Sequence, residues 1–267
     1  MNQKNFEYLK QYVTEAGFPD SVAQQLKARL KDTPPDFSIE YQPDFGDDSV
    51  FAILQFKHWK ETDLYYFHRY HLIISRENTR DCLQQIFYYG KNGPVIELLK
   101  GYNLLYGRAV YCEKLLSHVK VEYNSWIQFN FLETDAKGNF RLQYFTDGYG
   151  FDLNKTLERF PFLELEKPDS LEKLIGGLRK GNREPVTLSL DGKICSYDVE
   201  AVPQFKSLRI FDAEGKLLSG NDLAFIVSLS GQDDMASIED SQKEGKTNTA
   251  DPATRKKENV SQKRVRA

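Results

Sequence analysis

Apolar positions at the start of the chain recur at helical spacing. Phe6, Leu9, Val13 and Ala16 fall on one stripe, and Gly17 supplies a left-handed stop. Pro19-Asp20 opens a second stripe of Val22, Leu26 and Leu30, which Pro34-Pro35 terminates. The pattern predicts a helical hairpin with one apolar face. At Phe37 the period changes from 3.6 to 2. Phe37, Ile39 and Tyr41 alternate with polar residues, and Val50–Trp59 and Leu64–Ser75 are dense in β-branched and aromatic residues. These read as strands, the last two joined by the short polar link Lys60–Asp63, and Ile86–Tyr89 reads as another.

A helix is predicted over Ile96–Tyr106, although Gly101 weakens it by about 1 kcal/mol relative to Ala. Arg108–Lys120 has no clear period. Tyr123, Ile127, Phe129 and Phe131 mark one strand of a hairpin that turns at Asp135-Ala136-Lys137-Gly138-Asn139 and returns through Phe140–Phe145. Asp152 reads as the N-cap of a short helix to Phe160. From Pro168, Asp169 and Glu172 have capping-box spacing ahead of Leu171, Leu174, Ile175 and Leu178. Three short strands follow, Val186–Leu190, Ile194–Val202 and Ser207–Phe211, with Asp191-Gly192 as a hairpin turn.

The predicted fold class is therefore α+β: mainly antiparallel sheet with an N-terminal helical hairpin and packed helices. The expected divisions are an α+β domain over 1–165, a small helix-plus-hairpin module over 166–219, and a tail over 220–267. The tail has a single aromatic residue, Phe225. Its composition is that of a segment whose burial cannot offset its ordering entropy, so disorder is expected there. Leu223–Leu229 is the exception, an apolar run that reads either as a docking segment or as an incidental sticky stretch.

Composition then narrows the chemistry. The formal net charge of −3 argues against a generally basic nucleic-acid surface but leaves a local patch open. Cys82, Cys112 and Cys195 are odd in number, far apart and without a Cys-x-x-Cys pair, so reduced thiols in a cytoplasmic protein are expected. The first ten residues are polar, and no apolar run approaches the ~20 residues of a membrane span. No membrane association is expected.

Catalytic motifs are not recognisable. There is no Gly-x-Ser-x-Gly elbow and no phosphate-cradling glycine loop. His68 and His71 lie three apart in a strand, where alternation places them on opposite faces, and no metal site or cofactor is expected. Cys112 and His118 are near in sequence, but a thiol–imidazole pair acts only within hydrogen-bond reach. Tyr65, Tyr66, Phe67 and Tyr70 with Arg69 suggest a base-stacking sheet face, against which stands the half of any such run that alternation sends to the core.

Charge segregates in the tail. Residues 221–240 hold five acids and no Lys or Arg, whereas residues 241–267 hold eight bases against three acids. Arg255, Lys256, Lys257, Lys263, Arg264 and Arg266 form a cationic arm able to release counterions from a polyphosphate. Lys180 and Arg183, at a helix end, are weaker phosphate candidates because the dipole there repels anions. A solubilising tail and an arm that docks on an acidic protein are the competing readings.

Tyr102-Asn103-Leu104-Leu105-Tyr106-Gly107-Arg108-Ala109-Val110, Asn124-Ser125-Trp126-Ile127-Gln128-Phe129, Tyr149-Gly150-Phe151-Asp152-Leu153, Lys180-Gly181-Asn182-Arg183 and Glu200-Ala201-Val202-Pro203-Gln204-Phe205-Lys206-Ser207-Leu208 are distinctive in order and spacing. Over residues 1–218 the chain resembles an uncharacterised Bacteroidota family often met in mobile and conjugative genetic elements. The resemblance implies no catalytic residue or cofactor and raises the expectation of a DNA-related accessory role. The expected function is thus a non-enzymatic accessory protein that binds protein or nucleic acid with its basic arm. The alternatives are a docking partner of a co-encoded protein and an enzyme whose site is assembled from distant residues.

Overall fold

A computed structural model describes residues 2–32, 34–46, 48–75, 82–89, 94–117, 119–190 and 193–228. The architecture is α+β, with an N-terminal helix pair and three antiparallel sheets. The chain divides into two compact units. One comprises Met1–Leu105 with Phe131–Arg141, the other Tyr106–Asn130 with Leu142 onward.

The first unit begins with α1 (Gln3–Glu15) and α2 (Asp20–Lys31). Phe6, Leu9 and Val13 of α1, and Val22, Ala23, Leu26 and Leu30 of α2, are buried as their spacing predicts. Gly17 takes φ +80° between them, a conformation in which a side chain would be strained. Strands β1 (Phe37–Tyr41), β2 (Asp44–Phe45), β3 (Asp48–Trp59), β4 (Leu64–Ser75) and β5 (Cys82–Tyr88) follow. The main path of the sheet runs β1-β3-β4-β5, with β2 added on β3.

One face of this sheet is core. Val50, Ala52, Leu54 and Phe56 of β3 share it with Tyr65, Phe67, Tyr70, Leu72 and Ile74 of β4 and with Leu83 and Phe87 of β5. Helix α3 (Leu98–Leu105) belongs to the same unit. A Cβ on its Gly101 would lie 2.9 Å from the Tyr70 hydroxyl and 3.1 Å from the Phe87 ring. The glycine that weakens the helix is the residue that lets it approach the sheet. Side-chain amides fasten other elements: Asn5 of α1 donates Nδ2 to the Tyr65 carbonyl and accepts the Tyr65 N–H with Oδ1, both at 2.8 Å.

Strand β6 (Val110–Leu116) pairs with β7 (Glu122–Thr134), which pairs with β8 (Phe140–Thr146); the second unit holds β6, β7 as far as Asn130 and β8 from Leu142. The stretch without a clear period, Arg108–Lys120, thus contains a strand. Its pattern is broken by a register shift between Cys112 and Leu115, where Lys114 adopts φ 53°. Asp152 caps α4 (Leu153–Leu157) by accepting the Lys155 N–H at 3.2 Å, as expected. Helix α5 (Pro168–Arg179) departs from expectation. It starts at Pro168 without a side-chain cap, because Asp169 already lies inside the first turn. Strands β9 (Glu184–Leu190), β10 (Lys193–Val202) and β11 (Ser207–Phe211) form the third sheet in the order β11-β10-β9. Leu190 pairs with Lys193, and the Asp191-Gly192 turn between them lies outside the described residues.

The anticipated division at residue 165 falls inside this unit. One core cluster joins Ala109 and Trp126 with Leu157, Leu174, Leu178, Val186, Leu188, Val199 and Ile210. The expected start of the tail at 220 also moves. Residues Gly220–Ser228 form α6, and Leu223, Ile226 and Val227 are buried in that cluster. The apolar run is used within its own unit, leaving Phe225 56% exposed. Residues 229–267 lie outside the described ones. No helix among the described residues is long and apolar enough to cross a membrane.

Candidate nucleic-acid interface

The other face of the first unit's sheet is open to solvent. Pairing of β3, β4 and β5 builds rows across it: Phe51–Ile73–Gln84, Ile53–His71–Ile86 and Gln55–Arg69–Tyr88. Beyond these, Lys57 stands opposite Tyr66 and Trp59 opposite Leu64.

A β-bulge shapes the centre of this face. Gln55 pairs with Arg69 and Phe56 with Phe67, so His68 is the extra residue of β4. The inserted residue shifts the phase of alternation. Tyr66, His68, Arg69 and His71 therefore all point outward, and Tyr65, Phe67 and Tyr70 point to the core. The expectation that His68 and His71 occupy opposite faces is overturned for this reason. His71 Nε2 lies 3.1 Å from Gln84 Oε1, and His68 instead meets rings. Among the described residues no group of three His, Cys, Asp or Glu side chains could hold a metal ion.

Those rings form a line. Centroids are 6.4 Å apart for Trp59–Tyr66, 5.9 Å for Tyr66–His68 and 5.7 Å for His68–Tyr88, each edge to face. Trp59, Tyr66 and Tyr88 are 53%, 37% and 41% exposed. Cations gather at the Tyr88 end. The Arg69 guanidinium carbon is 5.8 Å and Lys137 Nζ 5.1 Å from the Tyr88 ring centre. Lys137 Nζ donates to the Tyr88 hydroxyl at 2.8 Å, and Arg69 Nη1 donates to it at 3.3 Å. The Lys137 hydrogen bond, helped by Arg69, holds the Tyr88 phenol below its ordinary pKa even though burial opposes this.

The same cations reach His68. Burial is the largest cause of its lowered pKa, and Lys57, Arg69 and Lys137 add to it, with Asp36 opposing. Among the described residues, none of Lys57, Arg69 and Lys137 forms an ion pair with a carboxylate. Arg69 Nε instead donates to the neutral Gln55 Oε1 at 2.6 Å. Carboxylates lie on or beside the same face: Glu40 stands opposite Ile53, and Glu61 Oε2 accepts the Trp59 Nε1–H at 3.2 Å.

Sequence reasoning found Tyr66 and Arg69 but missed Lys57, Trp59, His68, Tyr88 and Lys137. The strand period flags Lys57 and Trp59 once β3 is oriented. His68 and Lys137 join through a bulge and a distant turn, which no local pattern announces.

The other nominated positions are placed differently. Lys180 is the C-cap of α5, its N–H directed to the carbonyls of Gly176 and Gly177, and Gly181 follows at φ +82°. Arg183 Nε donates to Glu200 Oε1 at 2.9 Å, with the guanidinium carbon 3.7 Å from the centre of the Phe211 ring. Arg255, Lys256, Lys257, Lys263, Arg264 and Arg266 lie outside the described residues, as does His118. None of the three cysteines is in a disulfide; Cys112 is buried and Cys82 exposed. A shallow depression of about 360 Å³ in the second unit is lined by Glu113, Lys114, Glu122, Tyr123 and Asn124. No protein-family model, curated protein or solved structure matches this chain.

Proposed function

We propose that this protein binds single-stranded nucleic acid, with the outer sheet face of its first unit as the platform. The observation that carries the reading is the line Trp59–Tyr66–His68–Tyr88, flanked by Lys57, Arg69 and Lys137, which form no ion pair among the described residues. An unpaired strand has two features to recognise: flat bases that stack on rings, and a phosphate backbone that follows cations. A duplex hides its base faces, so it would meet only the cations. The basic residues Arg255, Lys256, Lys257, Lys263, Arg264 and Arg266 add sequence-independent attraction through counterion release. This reading agrees with the accessory role in a mobile element that the resemblance implies.

The test is fluorescence anisotropy of the full chain with labelled oligothymidine and oligouridine, titrated over roughly 50 to 200 mM salt. Tyr66→Ala and Tyr88→Ala should each weaken binding by about 1–3 kcal/mol, the range for loss of one stacked base. Removing residues 241–267 should flatten the salt dependence and leave the ring contribution in place. Binding that survives both tyrosine substitutions unchanged refutes the sheet-face platform. An affinity greater for duplex than for single strand refutes it equally.

A further inference from the structure

Of Lys57, Arg69 and Lys137, only Lys137 comes from outside the sheet. It sits in the turn Asp135–Asn139 between β7 and β8, a segment grouped with the first unit. The turn is closed on itself by Asp135. Its Oδ1 accepts the N–H groups of Lys137 at 2.8 Å and Asn139 at 2.9 Å, and its Oδ2 accepts Asn139 Nδ2 at 3.0 Å. Gly138 completes the turn at φ +82°.

Two side-chain amides then tie the turn to β5, the edge of its sheet. Asn139 Oδ1 accepts the Ile86 N–H at 2.9 Å. Gln85, only 6% exposed, accepts the Phe140 N–H with Oε1 at 2.8 Å and donates Nε2 to the Phe140 carbonyl at 3.3 Å. The pairing imitates strand addition and covers an edge that would otherwise invite another chain. It also has a consequence for chemistry. Ile86 and Tyr88 lie two residues apart on β5, so a turn anchored at Ile86 carries Lys137 to the Tyr88 hydroxyl.

We infer that Gln85 and Asn139 are positioning residues for the Lys137 cation of the nucleic-acid face. The inference rests on the nucleic-acid reading for its purpose but not for its geometry. A lysine on an untethered turn spreads its charge over many rotamers and many backbone positions. The amide clamp removes the backbone share of that freedom.

Two measurements on the full chain decide the matter. The first needs no nucleic acid: the Tyr88 phenol is titrated by NMR on protein carrying ring-labelled tyrosine. Lys137→Gln should move its pKa back up toward the ordinary tyrosine range, and Asn139→Ala should move it in the same direction. The double variant should go no further than Lys137→Gln alone, the signature of one shared pathway. The second is the salt dependence of oligothymidine binding, whose slope should fall by about 0.7 in each single variant, the share of one phosphate contact. Should Asn139→Ala not fold, Gln85→Leu cuts the other amide tie at a buried position and should move the Tyr88 titration in the same direction. A Tyr88 titration unmoved by loss of the Asn139 amide overturns the positioning role even if nucleic acid binds as proposed. Shifted Tyr88 titrations in a protein that never binds nucleic acid would uphold the positioning and sink the functional reading.

Discussion

Both units set cations over aromatic rings, but Arg179 and Arg183 of the second are treated differently from Arg69 and Lys137 of the first. In the second unit Arg179 lies over Tyr111 at 4.8 Å with Glu113 3.7 Å from its guanidinium, and Arg183 lies over Phe211 with Glu200 at 2.9 Å. Glu200 is almost fully buried and also faces Arg209 at 4.0 Å. In the first unit Arg69 and Lys137 share the Tyr88 ring, and a neutral amide, Gln55, occupies the place of the carboxylate. A ring–cation pair with its own acid is neutral and complete. One without an acid keeps its charge. The difference between these contacts is thus the charge on one neighbour, carboxylate or amide, not the ring or the cation.

The comparison can be broken from the second unit first. Glu200→Ala leaves two arginines without their shared acid. Losing one member of a fully buried pair costs about 3–5 kcal/mol. Arg183 and Arg209 keep 38% and 25% of their side-chain surface and can rehydrate, so about 2 kcal/mol is the expected loss. The urea midpoint should fall accordingly, with oligothymidine affinity unchanged. An unmoved midpoint would show that the acid does not hold the unit together.

The reciprocal experiment gives the first unit the acid it lacks. Gln55→Glu places a carboxylate of the same shape 2.6 Å from Arg69 Nε. Stability should stay within about 0.5 kcal/mol, as for most surface changes. The salt slope of nucleic-acid binding should drop by about 0.7, because Arg69 then has its anion already. An unchanged slope would remove Arg69 from the phosphate-contacting set.

The smallest effect is on pH. His68 and His71 both have lowered pKa values, in each case chiefly because burial disfavours the charged ring. Lys57, Arg69 and Lys137 reinforce this at His68 against Asp36. At His71 Arg69 reinforces it, and the Gln84 hydrogen bond opposes it. The folded chain then binds fewer protons than the unfolded chain. Stability from these groups is present above the ordinary histidine pKa near 6.5 and is lost as pH falls below it. Thermal unfolding should decline from neutral toward acid pH more steeply in the wild type than in His68→Gln/His71→Gln. Parallel profiles would mean that the two rings are not burial-shifted.

Two glycines show how far local reading reaches. Gly17 was legible as a helix stop because a left-handed residue between two helical stripes needs no partner to define it. Gly101 looked like a flaw until the Tyr70 hydroxyl and the Phe87 ring were seen beside it. The candidate site divides the same way. Alternation separates Tyr66 from Tyr65 and Phe67, whereas only the bulge puts Arg69 with Tyr66 and Tyr70 with the core.

Hydrophobic period and turn residues determined the helical hairpin, most of the strands and the α+β class, because each is a pattern over a few consecutive residues that any local window contains. Three-dimensional pairing decided the outward turn of His68, the delivery of Lys137 to Tyr88, the burial of α6 and which arginines meet an acid. Each of these depends on a neighbour tens of residues away, and the energy of such a contact exists only once the chain has closed around it.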